Sequence, residues 1–170
     1  MPRRDLAALP KAHLHLHFTG SMRVETVREM AAEHRLRLPS ALDPGSYPPE
    51  LSAADERGWF RFQRLYDAAR HCVRGEAEMR RIVREAAADD GAEGSRWLEL
   101  QVDPTSYAPF VGGITPAIEI VLDEARAVSR DARRTGSAQV AIVVAASRVR
   151  HPLEARPLAR LAAHHAGDGP

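Results

Sequence analysis

Three histidines alternate with leucine in the segment AHLHLHFTGS, at positions 13, 15 and 17. Neutral imidazole is a common metal ligand, and Zn²⁺ binds its nitrogen at about 2.0–2.1 Å. In an extended strand the three side chains share one face. Neighbouring histidines are then about 7 Å apart at Cα, and the outer two about 13 Å apart. Two adjacent histidines can therefore meet on one ion, as 13/15 or 15/17, while the outer pair would have to stretch from opposite sides. The bland alternative is an edge strand with polar histidines facing water. Thr19, Gly20 and Ser21 follow as turn residues, so the strand ends near His17.

The elements that must position this segment follow from periodicity. A helix is expected to start near Ser21, with Val24, Val27 and Ala31 on one face, and to fade before Pro39. Residues 39–54 read as a Pro/Ser/Gly-rich loop. A helix over 55–74 and a second over 76–90 come next, the second with Met79, Ile82, Val83 and Ala86 at helical spacing and Gly91 and Gly94 as its stop. Residues 96–102 read as a buried strand and 103–113 as a long loop. Thr115 as N-cap, Pro116 at the first helical position and Gly136 past the end frame another helix. Residues 139–146 give a third strand, and 156–167 a last helix with Gly167 as stop.

Strands alternating with helices imply a parallel sheet with crossover helices. The later strands are almost uniformly apolar, the pattern of strands buried on both faces. Three strands do not close a barrel, and an eight-stranded α/β barrel takes roughly 250 residues. The expected fold is thus α/β, an incomplete TIM-type (β/α)₈ barrel. It would hold about three β/α units and an inserted helical lid, with residues 1–170 as one N-terminal part of a larger domain. Barrel chemistry sits at strand C-terminal ends. That selects His15 and His17, with His13 one step deeper.

Composition narrows the function classes. The net charge is +1, with 28% charged and 44% hydrophobic residues. No basic patch with interleaved aromatics stands out, which argues against nucleic acid. The single Cys72 rules out an intrachain disulfide and suits a reducing compartment. The N-terminus lacks an apolar signal region, and the longest apolar run, 140–146, is far below the ~20 residues of a membrane helix. A cytoplasmic protein without membrane partners is expected.

The segment LPKAHLHLHFTGSMR resembles the N-terminal metal motif of the adenosine deaminase family. WFRFQRLYD resembles that family's lid helix, WLELQVDPTSY its second barrel strand and loop, and VAIVVAASRVRHP its third strand. The resemblance implies zinc as cofactor, with His15 and His17 as two of its ligands. It implies a purine nucleoside as the small-molecule partner and hydrolytic deamination as the reaction. His17 and Thr19 would face the ribose, and Phe62 and Tyr66 would cover the purine from the lid.

Two positions depart from the pattern. Thr19 stands where the family has an aspartate for the ribose hydroxyl, which opens the way to another 6-aminopurine compound, adenine or an aminofutalosine-type nucleoside. His13 stands where the family has glutamate, and reads as a core histidine. Trp59, Phe60 and Trp97 read as packing residues. Ser106 and Tyr107 lie at the correct end for a site. His151 reads as a pocket-rim residue, His34 and His71 as surface.

HAGD, residues 165–168, imitates the family's His-Ala-Gly-Glu. The helical spacing of Leu158, Leu161 and Ala162 before it argues against that role, and His164 and His165 suit a helix C-terminus instead. The general acid and the remaining ligands are expected beyond residue 170, so this chain alone should deaminate poorly. A non-catalytic piece that needs a partner chain is the competing expectation. Open sheet edges would then drive self-association.

Overall fold

The computed structural model describes residues 5, 9–46 and 57–167. Three strands, β1 (Lys11–His17), β2 (Ser95–Val102) and β3 (Gln139–Val144), form one parallel sheet in the order β1-β2-β3. Between them run α1 (Val24–Glu33), α2 (Gly58–His71), α3 (Glu76–Ala92), the short α4 (Ala108–Val111) and α5 (Ile114–Thr135). After β3 comes α6 (Pro152–His164). This is the expected incomplete α/β barrel, with α3 and α5 packed on one face of the sheet and on each other. Among the described residues no helix is long and apolar enough to cross a membrane.

The core lies between that face and the helices. Leu98, Leu100, Val102 and Val140 from the strands meet Met79, Ile82 and Val83 of α3 and Ile118 and Val121 of α5, all fully buried. Charged side chains fasten the helices outside this layer. Arg80 holds Asp123 at 2.6 Å and Glu124 at 3.3 Å, tying α3 to α5, and Arg84 adds a 2.9 Å bond to Glu124. Arg81 links α3 to Glu29 of α1 at 2.7 Å.

The opposite face of the sheet is not buried as the apolar strand pattern predicts. Trp97, Glu99 and Gln101 are half-buried there, and Val143 is 41% exposed. Only the helix side of each strand is covered within the described residues.

Several boundaries differ from expectation. One 3₁₀ turn, Thr19–Ser21, precedes α1, which begins at Val24. Residues 47–56, the second half of the expected loop and the start of the expected lid helix, lie outside the described residues. The 103–113 loop contains a 3₁₀ turn, Pro104–Ser106, and α4. Gly113, not Thr115, occupies the N-cap of α5, while Gly136 ends it in the left-handed conformation (φ 78°). His151 caps α6, its Nδ1 accepting from the Leu153 amide at 3.2 Å, which replaces the pocket-rim expectation. His34 is not a free surface residue, since its Nε2 meets Glu78 of α3. Trp59 and Phe60 are each 65% exposed and pack in no core. Both are exposed on α2, where apolar character is no guarantee of burial.

Gly91 does not stop α3. It lies inside the helix, where a Cβ would come 2.2 Å from the Gly136 carbonyl oxygen and 2.7 Å from Ser137 Cα. Glycine lets α3 touch the turn between α5 and β3, beside the Ala138 amide that donates to Ala87 O at 2.9 Å. In Gly91→Ala the helix-propensity gain, about 1 kcal/mol, is outweighed by a backbone clash of about 3 kcal/mol or more. Urea unfolding should show a net loss near 2 kcal/mol, and an unchanged midpoint would contradict the close approach.

Candidate metal centre

β1 departs from regular alternation at the histidines. His13 pairs with Leu98 and Leu16 with Leu100, so three steps along β1 match two along β2. Leu14 and His15 together stand opposite the single residue Glu99. This is a β-bulge. It sends His13 to the helix side of the sheet, where Nδ1 lies 3.1 Å from an Asp90 carboxylate oxygen of α3. The expectation that all three histidines share one face is thereby corrected, because the extra residue breaks the two-residue period. His13 takes a structural role, half-buried against a carboxylate that is itself buried.

His15 and His17 remain together. Their Nε2 atoms are 3.3 Å apart, with the ring planes at 87°. Two nitrogens each about 2.0–2.1 Å from one tetrahedral Zn²⁺ lie about 3.3–3.4 Å apart. The pair therefore fits two adjacent corners of a zinc site without rearrangement. Burial, and next the neighbouring His15, hold the His17 imidazole below its ordinary pKa, which favours the neutral form that ligates. Among the described residues no third His, Cys, Asp or Glu joins them to form a cluster of three.

α2 closes over this pair. The Tyr66 ring meets His17 edge-on at 6.4 Å, Phe62 lies 6.1 Å from Tyr66, and Trp59 lies 5.7 Å from Phe62. Arg70 sits over the Tyr66 ring at 4.9 Å. Trp59, Phe62 and Tyr66 of α2 thus form a continuous line of rings to His17. Phe62 is 38% exposed, so a planar face is open.

Thr19 lies elsewhere. It is 5% exposed, and its hydroxyl is 2.7 Å from the hydroxyl of Tyr107, a residue buried in turn against Phe18. Thr19 is buried, with its side-chain hydroxyl engaged by Tyr107. Ser106, the other loop residue at this end, belongs to the 3₁₀ turn. His165 follows α6, not a strand, and lines a cavity of about 330 Å³ beside β3 with Trp97, Leu122 and Ala141. Asp168 lies outside the described residues.

Two polar residues near the pair were not singled out by spacing. Glu99 and Gln101 occupy the inner face of β2, and Gln101 is the in-register partner of His17. The signal was present in the alternation LELQV, where only the even-numbered positions are apolar.

The match to known proteins agrees with this geometry. The model of the adenosine deaminase family matches residues 10–169. The chain belongs to the adenosine deaminase family. A Streptomyces virginiae protein provisionally named adenosine/adenine deaminase is 60% identical over 166 residues, covering 98% of this chain and 48% of its own length. A Streptomyces coelicolor protein of the same provisional name is 56% identical over 169 residues, with the same coverage. The chain thus spans about half the length of the curated relatives it matches.

Among solved structures, adenine deaminase from Arthrobacter aurescens superposes with a TM-score of 0.71 at 22% identity, over 92% of this chain and 46% of that one. The Arabidopsis N6-mAMP deaminase gives 0.74 at 21%, over 96% and 48%. A zinc-bound amidohydrolase from Burkholderia ambifaria gives 0.67 at 21%, over 93% and 41%. At these identities the likeness establishes the fold. Family membership here rests on the closer Streptomyces relatives and the family model.

The buried Thr19–Tyr107 bond makes a stability prediction. Tyr107→Phe leaves the Thr19 hydroxyl unpaired and should cost about 1–2 kcal/mol in chemical denaturation. Burial also raises the Tyr107 phenol well above its ordinary value. The unfolded phenol therefore loses its proton first as pH rises through about 10, and stability contributed below that pH is lost. The wild type should destabilise more steeply above about pH 10 than Tyr107→Phe. Parallel pH profiles would refute this burial.

Proposed function

We propose that this chain carries the N-terminal share of a zinc-dependent aminohydrolase that converts a 6-aminopurine nucleoside, adenosine or deoxyadenosine, to its 6-oxo product with release of ammonia. The observation that carries the reading is the 3.3 Å separation of the His15 and His17 Nε2 atoms. Support comes from the family match over residues 10–169. Zinc, when bound, would supply a water acidic enough to attack at neutral pH. His15 and His17 would hold the ion as neutral imidazoles. Phe62 and Tyr66 would stack on the purine and exclude water. A substrate portion beyond the base would reach the end of β1 near His17 and Thr19.

A catalytic zinc usually has three protein ligands and an open position. These residues supply two, and the general acid that the family resemblance implies is assigned to none of the described residues. The reading therefore includes that the 170 residues alone bind zinc weakly and turn over poorly. It also places the protein in the cytoplasm, and has its open sheet edges prone to self-association.

One observation favours a second substrate class. The Thr19 hydroxyl is engaged by Tyr107, so residue 19 offers no carboxylate to a sugar hydroxyl. Free adenine is then a competing substrate, in keeping with the adenosine/adenine name of the Streptomyces relatives.

Zinc titration of the purified chain should reveal one site. His15→Ala and His17→Ala should each weaken it at least about 100-fold, beyond the 10–100-fold typical of losing an outer partner. Wild-type-like zinc binding in either variant would remove the metal centre. Assay of the zinc-loaded chain with adenosine, deoxyadenosine and adenine should show little ammonia release. Turnover near that of a full-length relative would show that two ligands suffice.

A further inference from the structure

Gln101 is the in-register partner of His17 on the adjacent strand, and both belong to the face of the sheet away from α3 and α5. The Phe18 amide donates to the Gln101 carbonyl at 2.9 Å, which holds the two backbones together just past His17. On its other side Gln101 pairs with Val143, which has no side-chain donor. The Gln101 side-chain oxygen is buried and has no hydrogen-bond partner. Native proteins leave few such groups, and each calls for a reason.

The histidine pair supplies one. Two arrangements satisfy an Nε2···Nε2 separation of 3.3 Å. In the first, one ring carries its proton on Nε2 and donates to the other. In the second, both Nε2 lone pairs are turned on a shared cation. The second requires each neutral ring to carry its proton on Nδ1. Passing from the first to the second therefore moves the proton of the donating ring from Nε2 to Nδ1, and ligating histidines almost always direct that hydrogen to an acceptor.

We propose that Gln101 is the positioning residue of His17: its side-chain oxygen accepts the Nδ1–H that His17 carries when its Nε2 is given to a metal ion. This rests on the metal reading of His15 and His17. It assigns Gln101 no contact with substrate. When His17 is the ring that donates through Nε2, its Nδ1 carries no hydrogen and the oxygen lacks that donor; metal binding at Nε2 supplies it. Strands about 4.8 Å apart bring the two side chains within reach by rotation of the flexible glutamine.

The inference makes two quantities move in opposite directions. Gln101→Leu deletes a buried oxygen that lacks a partner, so the chain without metal should melt at the same temperature or higher. The same variant should bind Zn²⁺ or Co²⁺ 10- to 100-fold more weakly, measured by competition with a chromophoric chelator. Gln101→Glu keeps an acceptor and should bind at least as tightly as wild type. In ¹⁵N spectra of the zinc-loaded chain, the His17 Nδ1–H should exchange slowly in wild type and Gln101→Glu, and rapidly in Gln101→Leu.

Unchanged metal affinity in Gln101→Leu, or weakening in Gln101→Glu as large as in Gln101→Leu, would overturn the proposal while leaving the metal centre intact. Should the wild type bind neither metal, both readings fall together. Should Gln101→Leu not fold, the Gln101→Glu affinity and its ¹⁵N signature decide.

Discussion

The placement of one extra residue in β1 governs the rest of this molecule. A strand has a two-residue period, so shifting register by one moves every side chain to the other face. Between His13 and Leu16 the bulge performs that shift inside a single strand. Before it, His13 faces the helices and meets Asp90. After it, Leu16 packs on the core, and His15 and His17 face the open side. A regular strand with the same sequence could not bury Leu16 and also bring His13 to Asp90. The C-terminal end of α3 anchors the arrangement. Two adjacent carboxylates there, Asp89 and Asp90, oppose the helix dipole, and each is answered from outside, by Arg23 and by His13.

The two faces of the sheet consequently do different work. The helix side is dry, and is locked by the Arg80 and Arg81 ion pairs across α1, α3 and α5. These pairs are partly exposed, so each adds only a fraction of a kcal/mol, and the apolar layer beneath them carries most of the stability. The other side is polar near the strand ends, with Glu99 and Gln101 beside the histidines. Ligands mounted on a strand whose reverse face is close-packed are held more rigidly than ligands on a loop. α2 is attached differently. Gly58 is its only buried residue, and its contact with the site runs through Tyr66 against His17. Such an element lies toward the low end of local stability, which suits a cover that must admit a ligand.

The sequence made the architecture legible where periodicity was strong. The parallel order, the stop at Gly136 and the core face of α3 follow from patterns that local chemistry enforces. It was silent on tertiary choices. Gly91 looks like a helix stop, yet its use is a close approach to a turn 45 residues away. Trp59 and Phe60 look like core, because hydrophobicity cannot say on which side of a helix the neighbours lie. The bulge left no mark in AHLHLHF, a perfect alternation, since it is imposed by the pairing with β2 and the pull of Asp90. At the site, the closeness of His15 to His17 follows the strand-end reading, with their Nε2 atoms 3.3 Å apart. Thr19 could not be placed, because its partner Tyr107 comes from a different loop.

The engagement of Thr19 bears on how selective a site of the proposed kind can be. A site that hydrogen-bonds a substrate hydroxyl through a dedicated polar group rejects an analogue lacking that hydroxyl by 10⁴ or more, because the group is then stranded. Here the candidate group already has a partner. With that bond made, a ligand without a sugar hydroxyl leaves nothing stranded at Thr19. Discrimination must then come from shape and stacking, which distinguish related ligands by only about 10- to 200-fold. On the proposed reading the end of β1 would then tolerate variation beyond a purine ring, and its demand would be for a flat base against Phe62 and Tyr66.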